Sequence, residues 1–245
     1  MSAPIFLYTD FGSADIYVGQ VKAVLHAQAP ASPVIDLLND APPFRIEESA
    51  HLLAALVRRL PPGAVTIAVV DPGVGGERAA VALEADGRSF VGPDNGLLSV
   101  LAARAGTVRV VALDWMAPPQ SASFHGRDLF APAAARIACG GADLHEAAPK
   151  PRLEVELDPG DLARVIYLDH YGNAMTGLRA AGRVTGTHVE VAGRRVSHAR
   201  VFSDVPRGAL FWYENSIGLV EIAANQASAS DALGLAVGTE VSVHS

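Results

Sequence analysis

The sequence is poor in several features, and each shortage excludes a class of protein. It has one cysteine, Cys139, so an internal disulfide is impossible and the cytoplasm is the expected location. Cys139 lies in the apolar stretch 133–139 and is predicted to be a small core residue. The apolar runs are far shorter than a membrane span, and the N-terminus lacks the basic head and cleavage site of a signal peptide. We therefore expect no membrane association.

Charge and motif patterns exclude further partners. The formal net charge is −7 and no basic cluster is longer than a pair of arginines, so a nucleic-acid partner is not expected. The eight histidines show no H-E-x-x-H spacing and no paired cysteines accompany them, so no metal site is predicted. Neither a G-x-G-x-x-G nor a G-x-x-x-x-G-K loop follows a predicted strand. We therefore predict no cofactor.

What the sequence does contain is a well-packed globular composition, with half of its 245 residues hydrophobic. Residues 1–150 alternate between strand and helix patterns, and we predict an α/β domain there, Rossmann-like and three-layered, with a mainly parallel sheet. Its predicted strands are Ile5–Thr9, Val34–Leu38, Val65–Val70, Ala80–Glu84, Ser89–Val91 and Val108–Leu113. Its predicted helices are one capped by Asp15, then Glu47–Leu60, Leu97–Arg104 and Leu129–Cys139.

The pattern changes after the proline-containing junction near residue 150. Strands dominate residues 151–245, and we predict a second domain there, a small antiparallel β-barrel or sandwich. The predicted strands are Arg164–Leu168, Thr187–Val191, Val196–Phe202, Ala209–Tyr213, Gly218–Ile222 and Glu240–Val243. The alanine- and serine-rich stretch Ala223–Ala232 is predicted to be a short helix.

Two carboxylates follow directly on predicted buried strands. Asp71 ends the strand Val65–Val70 and is followed by a glycine-rich loop and Arg78, and Asp10 ends the strand Ile5–Thr9. Open α/β sheets place their chemistry at the carboxyl ends of their strands. A carboxylate there could accept two hydrogen bonds from a ribose diol, but an Asp that caps the following turn would explain each residue as well.

Three more segments carry candidate functional residues. His125 lies in a loop beside a glycine, with no apolar periodicity to bury it, whereas Asp128 fits the N-cap of the following helix. Turn chemistry alone explains the segment around Asn95. In the second domain, Asp169 ends a strand, and the amide of Asn173 offers both a donor and an acceptor to a base edge. A hairpin turn explains that segment and the segment 214–218 equally well.

Together these segments resemble the S-adenosyl-L-methionine (SAM) hydroxide adenosyltransferases, a family related to the bacterial fluorinase and chlorinase. The resemblance runs from Leu7 to about Leu235. Its motifs are Y-T-D-F-G, V-V-D-P-G-V-G, V-G-P-D-N-G, F-H-G-R-D, D-x-Y-G-N and E-N-S-x-G-x-x-E-I-A-x-N. It implies an N-terminal α/β domain, a C-terminal β-barrel, and a homotrimer whose active sites lie between subunits.

The resemblance also implies roles for named residues. Asp71, Arg78 and His125 match the set associated with the activation of water. The side chains assigned to SAM are Asp10, Phe44, Asn95, Asp169, Tyr171, Asn173, Phe202, Ser216 and Glu221. Within this set, Asp10 would hold the ribose hydroxyls, Asp169 the methionine ammonium and Asn173 the adenine edge. Phe44 would line the pocket near the ribose and methionine, while Phe202 would pack on the adenine face. Ser216 and Glu221 fall in the motif that closes the pocket.

The implied activity is hydrolysis of SAM to adenosine and L-methionine, with SAM as a substrate and not a cofactor. Two departures qualify the resemblance. Tyr171 stands where phenylalanine is commoner, and Ile217 stands where the fluorinase has an arginine, so the methionine carboxylate would use other groups. Two alternatives stay open: a halogenase that uses chloride, and a sensor that binds SAM or adenosine without turnover. Gly126, which stands where the fluorinase has a halide-contacting serine, argues against fluoride.

Overall fold

The computed structural model describes residues 2–182 and 187–244, which form two compact units. The division falls between Pro159 and Gly160, further along the chain than the 150/151 boundary, and the short segment Ala55–Arg59 groups with the C-terminal unit. The domain boundary at residues 150/151 that the sequence suggests stays a prediction. Among the described residues, no helix is both long enough and apolar enough to cross a bilayer.

The N-terminal unit is a seven-stranded mixed sheet with helices. Its elements are β1 (Ile5–Thr9), α1 (Ile16–Gln28), β2 (Val34–Leu38), α2 (Ile46–Leu56), β3 (Val65–Val69), β4 (Ala80–Ala85), β5 (Arg88–Pro93), α3 (Ser99–Arg104), β6 (Val108–Ala112), α4 (Ala131–Ala138) and β7 (Pro149–Lys150). The strand order is β2-β1-β3-β5-β4-β6-β7. Strands β2, β1, β3 and β5 pair in parallel, while β4 is antiparallel to both β5 and β6, and β7 to β6. The predicted α/β unit with a mainly parallel sheet is confirmed.

The central strands bring the candidate residues to one edge of the sheet. Every residue of β1 and of β3 is buried, as expected for short apolar strands that are covered on both faces. Thr9 pairs with Val69 in register, so Asp10 and Asp71 follow on neighbouring strand ends. Helices α1 and α4 pack on the core that these strands form.

Three expectations for the N-terminal unit were wrong. The helix predicted over 47–60 ends at Leu56 and continues as a 3₁₀ turn, Val57–Arg59, ahead of the two prolines. Asp128 is not an N-cap: it lies inside a π-helical turn, Gly126–Phe130, that leads into α4. Cys139 is exposed and not a core residue; it is the C-cap of α4, which ends at Ala138.

The C-terminal unit consists of two antiparallel sheets. Its elements are β8 (Leu162–Leu168), β9 (Ala174–Arg179), β10 (His188–Val191), β11 (Arg194–Ser197), β12 (Leu210–Glu214), β13 (Leu219–Ala224), α5 (Ala229–Leu233) and β14 (Val241–His244). The sheet orders are β12-β13-β9-β8 and β11-β10-β14. Single bridges between Arg164 and Glu240 and between His198 and Trp212 link the outer strands of the two sheets.

The C-terminal unit also corrects the sequence prediction. Strand β9 was missed, because Gly177 interrupts its apolar pattern; a Cβ there would lie 2.5 Å from Leu162 Cβ. The strand predicted over 196–202 ends at Ser197, and a 3₁₀ turn follows at Phe202–Asp204. The helix predicted over 223–232 is only Ala229–Leu233, since β13 extends to Ala224.

The close approach of β5 to β3 depends on Gly92. A Cβ at Gly92 would lie 2.3 Å from the carbonyl oxygen of Ala68, so backbone would have to move. We expect Gly92→Ala to lower the free energy of unfolding by about 1–3 kcal/mol or more, measured by urea denaturation. The control is Gly19→Ala in α1, where no atom lies within 4 Å of the added Cβ; this change should stabilise by about 0.5–1 kcal/mol. Equal effects at the two sites would contradict the packing argument.

Candidate active site

Arg78 links the two other members of the predicted water-activating set. Its Nε lies 3.0 Å and 3.2 Å from the two carboxylate oxygens of Asp71, and its Nη2 also donates to Asp71 Oδ2. The same Nη2 lies 2.9 Å from His125 Nδ1. The Asp71 side chain is 3% exposed and the Arg78 side chain 13% exposed. The structure thus brings His125 to Asp71 and Arg78, although it lies 47 residues after Arg78, in a largely dehydrated cluster.

The contact with Arg78 determines which nitrogen of His125 carries the proton. A guanidinium group has only donors, so His125 Nδ1 must accept, and the neutral imidazole then carries its proton on Nε2. Burial lowers the pKa of His125, and the Arg78 cation lowers it further, against the opposing effects of Asp71 and Asp128. Near neutral pH, His125 therefore presents an Nε2–H donor.

Asp10 directly follows β1, the strand next to the one that Asp71 follows, and its backbone and carboxyl group meet backbone groups. Its N–H donates to Val69 O at 3.2 Å, and the backbone N–H of Phe44 acts to lower the pKa of its carboxyl group. Burial raises the pKa of Asp10, the backbone hydrogen bonds oppose this, and the nearby Asp71 anion adds to the rise. Phe44 has a φ of +64°, rare for a bulky residue, and its side chain is 76% exposed. The strained backbone thus directs an N–H group to Asp10 and leaves the aromatic ring accessible.

Asn95 holds the end of β3. Its Nδ2 donates to Val70 O at 2.9 Å, and its Oδ1 accepts from the N–H of Leu97 at 3.2 Å. Val70 directly precedes Asp71, so the amide of Asn95 stabilises the strand end that carries this carboxylate. The observed partners of Asn95 are backbone groups, and its contact with substrate stays a prediction.

Asp169 and Asn173 form a compact polar turn in the C-terminal unit. Asp169 Oδ1 accepts from the N–H groups of Tyr171 and Asn173 at 2.9 Å each, and its Oδ2 accepts from Asn173 Nδ2 at 2.9 Å. Asn173 is 4% exposed, and its Oδ1 is buried with no hydrogen-bond partner. A buried acceptor without a partner is costly unless a ligand satisfies it. Asp169 takes one of the two N–H groups of the Asn173 amide, so Asn173 can offer a ligand its Oδ1 and the second N–H.

Glu221 lies close to this turn and is 2% exposed. Its two oxygens accept from Tyr213 Oη at 2.6 Å and from Asn215 Nδ2 at 2.8 Å. Burial raises the pKa of Glu221, the two hydrogen bonds oppose the rise, and the Asp169 anion adds to it. Two neighbouring carboxylates in a buried setting favour a cation between or beside them.

The remaining predicted residues of this unit lie on turns. Phe202 packs edge-on against Phe211 and Tyr213, with ring centroids 5.0 Å and 5.4 Å apart. Tyr171 is 74% exposed, and Ser216 is also exposed. The described residues contain no group of three or more His, Cys, Asp or Glu side chains arranged to hold a metal ion.

Sequence reasoning missed Tyr213 and Asn215 as members of the site. Tyr213 is the register partner of Glu221 across the β12–β13 hairpin. Counting residue pairs outward from the predicted turn at 214–218 could have placed Tyr213 opposite Glu221. Asn215 lies in the E-N-S motif, but its role depends on a side-chain rotamer that the pattern does not encode.

Two family models together match nearly the whole chain. The SAM hydroxide adenosyltransferase N-terminal domain matches residues 5–148, and the C-terminal domain of the same family matches residues 163–242. The chain belongs to the SAM hydroxide adenosyltransferase family. A relative from Thermus thermophilus, named (R)-S-adenosyl-L-methionine hydrolase, is 43% identical and covers 97% of this chain and 98% of its own. A relative of the same name from Salinispora arenicola is 41% identical over 96% of this chain and 95% of its own.

More distant relatives and solved structures agree with the family assignment. A fluorinase from Actinopolyspora mzabensis is 26% identical over 99% of this chain and 97% of its own. The crystal structure of an uncharacterised conserved protein from Thermotoga maritima matches with a TM-score of 0.88 and 30% identity, over 98% of this chain and all of that one. A conserved hypothetical protein from Thermus thermophilus matches with a TM-score of 0.78 and 41% identity, over 99% of this chain and 100% of that one. The described fold is therefore one found in experimental structures of related sequences.

The raised pKa of Glu221 predicts a pH-dependent stability. A carboxyl group whose pKa in the folded protein lies above its ordinary value of 4.5 stabilises the fold fully at pH values below 4.5. This stabilisation is lost as the pH rises through the pKa that the group has in the folded protein. We expect the free energy of unfolding of the wild type to fall relative to that of Glu221→Gln as pH rises from about 4.5 to about 8. Chemical denaturation across this range measures the difference. The exposed Glu214→Gln is the control, and a constant difference between wild type and Glu221→Gln would contradict the assignment.

Proposed function

We propose that this member of the SAM hydroxide adenosyltransferase family hydrolyses SAM to adenosine and L-methionine, by attack of water at C5′ of the ribose. The cluster of Asp71, Arg78 and His125 is the observation that carries the proposal. The names of the relatives that are 39–43% identical over nearly the whole chain support it.

The chemistry requires little from the protein beyond positioning and a proton acceptor. The sulfonium of SAM leaves C5′ as a neutral thioether, so the C–S bond breaks readily once a nucleophile approaches in line. Water is a weak nucleophile, and a proton acceptor within hydrogen-bond reach contributes about 10²–10⁴ in rate. Holding water and sulfonium in an in-line arrangement supplies a further large share of the rate.

The hydrogen bonds favour Asp71 as the proton acceptor. His125 Nδ1 accepts from Arg78, and its Nε2 carries a proton, so in this arrangement the imidazole donates to the attacking oxygen. An ionised Asp71 carboxylate can only accept hydrogen bonds. Its Oδ1 receives one bond from Arg78, and at 3.2 Å this is the longest of the three hydrogen bonds between the two side chains. In the proposed step the water oxygen bonds to C5′, the C5′–S electron pair goes to sulfur, and the water proton goes to Asp71 and then to solvent. Arg78 holds both partners and stabilises hydroxide character.

The proposed substrate contacts are those that the family resemblance implies. Asp10 accepts from the two ribose hydroxyls, and the exposed ring of Phe44 lines the pocket beside them. Asp169 binds the methionine ammonium, which relieves its repulsion with Glu221. Asn173 Oδ1 accepts from the exocyclic amine of adenine, which satisfies this buried atom.

The assembly and location are further parts of the proposal. We infer a cytoplasmic homotrimer in which SAM binds between the N-terminal unit of one protomer and the C-terminal unit of its neighbour. The family resemblance supports this. The C-terminal unit is proposed to be a closed β-barrel; the two bridges that link its sheets support closure. A three-layer arrangement is proposed for the N-terminal unit.

Packing at Gly126, next to His125, argues against halogenation, because the halide-contacting serine that the fluorinase has at this position does not fit here. A Cβ at Gly126 would lie 2.7 Å and 2.9 Å from two ring atoms of Phe11, so a serine there would displace the ring. The alternative of a non-catalytic sensor has no use for a buried cluster of a carboxylate, a guanidinium and an imidazole.

The names of the relatives also indicate which form of SAM is the substrate. The sulfonium sulfur is a stereocentre, and these relatives are named for the R configuration. We propose the same preference here, and a mixture of both sulfonium epimers tests it together with the reaction. The expected result is equimolar adenosine and methionine with selective loss of the R epimer. Equal loss of both epimers would contradict the preference, and the absence of adenosine would contradict hydrolysis.

Variants of the cluster separate the roles within it. Asp71→Asn should lower kcat by about 10²–10⁴ while SAM binding, measured by calorimetry, changes only a few-fold. His125→Gln retains an N–H donor and should therefore lose less activity than Asp71→Asn. A larger loss for His125→Gln would instead make His125 the proton acceptor, and a loss of binding that equals the loss of turnover in Asp71→Asn would argue against a catalytic role.

A further inference from the structure

Arg127, two residues after His125, makes an unusual set of contacts. Its Nε and Nη2 donate to the two oxygens of Asp128 at 2.6 Å and 2.9 Å, and its Nη1 donates to Gln20 Oε1 on α1 at 2.8 Å. Its guanidinium carbon also lies 5.1 Å from the centroid of the Phe124 ring. A single side chain thus contacts the residues on both sides of the His125-Gly126 pair and a separate helix.

The contact between Arg127 and Asp128 depends on local backbone geometry. Consecutive side chains in an α-helix point about 100° apart and do not face each other. Here both residues lie in the π-helical turn Gly126–Phe130, which begins directly after His125. Such turns are rare and concentrate at functional sites. The Asp128 carboxylate also accepts from the N–H of Ser121 at 2.8 Å, which ties the preceding loop to the same turn.

The orientation of His125 has little other support. In the part of the chain that the structure describes, its side-chain hydrogen bond is the one from Arg78. The imidazole must therefore be aimed by its backbone, and the backbone on either side is held by the contacts of Arg127 and by the ring of Phe11 against Gly126. The charged groups that act on the imidazole are Arg78, Asp71 and Asp128.

We propose that Arg127 is a positioning residue, which holds the turn that places His125 Nδ1 against Arg78 and so fixes the imidazole tautomer. The catalytic meaning of this position rests on the proposed hydrolysis of SAM. The placement of the ring itself can be measured without substrate.

The chain contains a matched control for this side chain. Arg136 also lies with its guanidinium carbon 5.1 Å from an aromatic centroid, that of Trp115, and it donates to Gly141 O at 2.9 Å. Arg136 belongs to α4 and is exposed. Arg136→Ala therefore removes the same kind of contacts without touching the turn after His125.

The test is an NMR titration of His125 in the substrate-free protein, with its signal assigned by its disappearance in His125→Gln. In Arg127→Ala the ring should become more hydrated and move from Arg78, and Asp128 would lose its partner. Because each change favours the imidazolium, the pKa of His125 should rise toward 6.5. Arg136→Ala should leave the titration unchanged. Gln20→Ala, which removes only the bond to α1, should give a smaller shift in the same direction and serves if Arg127→Ala does not fold.

Kinetics supply the second readout. Arg127→Ala should lower kcat at least about tenfold, with KM for SAM changed less than about threefold, because the ring is displaced and the binding groups are not. An unchanged His125 titration in both Arg127→Ala and Gln20→Ala, with only a lower melting temperature, would overturn the proposal. If the wild type forms no adenosine, the proposed function fails while the titration still decides the placement of His125.

Discussion

The candidate site depends on one guanidinium group that is shared between two partners. Arg78 neutralises the buried carboxylate of Asp71 and, through the same Nη2, determines the tautomer of His125. Removing the cation would leave a buried anion and an imidazole with no fixed proton. A buried charge that loses its partner is strongly destabilising, so the same contact serves both the stability and the proposed chemistry of the site.

Contacts at the carboxyl end of β3 hold Asp71, and with it the cluster, in place. Strand β3 ends where Asn95 binds the carbonyl oxygen of Val70, and β5 can approach it because Gly92 has no side chain. The buried carboxylate of Asp94, next to Asn95, is held by Lys150 at 2.6 Å and by the N–H of Glu154 at 3.0 Å. The turn that holds the strand end is therefore itself anchored to β7 and to the segment that follows it.

Much of this arrangement could be predicted from the sequence, and for a physical reason. An unbroken run of β-branched residues predicts a short buried strand, and a carboxylate directly after such a run lies at the carboxyl end of that strand. The pattern places Asp10 and Asp71 at strand ends in this way, and the observed pairing of β1 with β3 makes these ends neighbours. The family resemblance, carried by ordered motifs, supplied the set of Asp71, Arg78 and His125 and the reaction class, both beyond the reach of periodicity.

The features that escaped prediction depend on tertiary contacts. The π-helical turn after His125 contains Arg127, whose side chain bonds to Gln20 on a distant helix, and a one-dimensional pattern favoured a simple N-cap at Asp128. Strand β9 was missed since its glycine is needed for close packing against Leu162 and disguises the strand pattern. The partnership of Tyr213 with Glu221 needed the register of a hairpin that the sequence delimited only loosely.

The central claim is that water attacks C5′ of SAM. Incubation of the protein with SAM in ¹⁸O-enriched water, in buffer free of halide, followed by mass spectrometry of the products, tests it most directly. The account predicts adenosine that carries ¹⁸O at its 5′ oxygen and methionine without label. Unlabelled adenosine, or label in any other product, would contradict attack of water at that carbon.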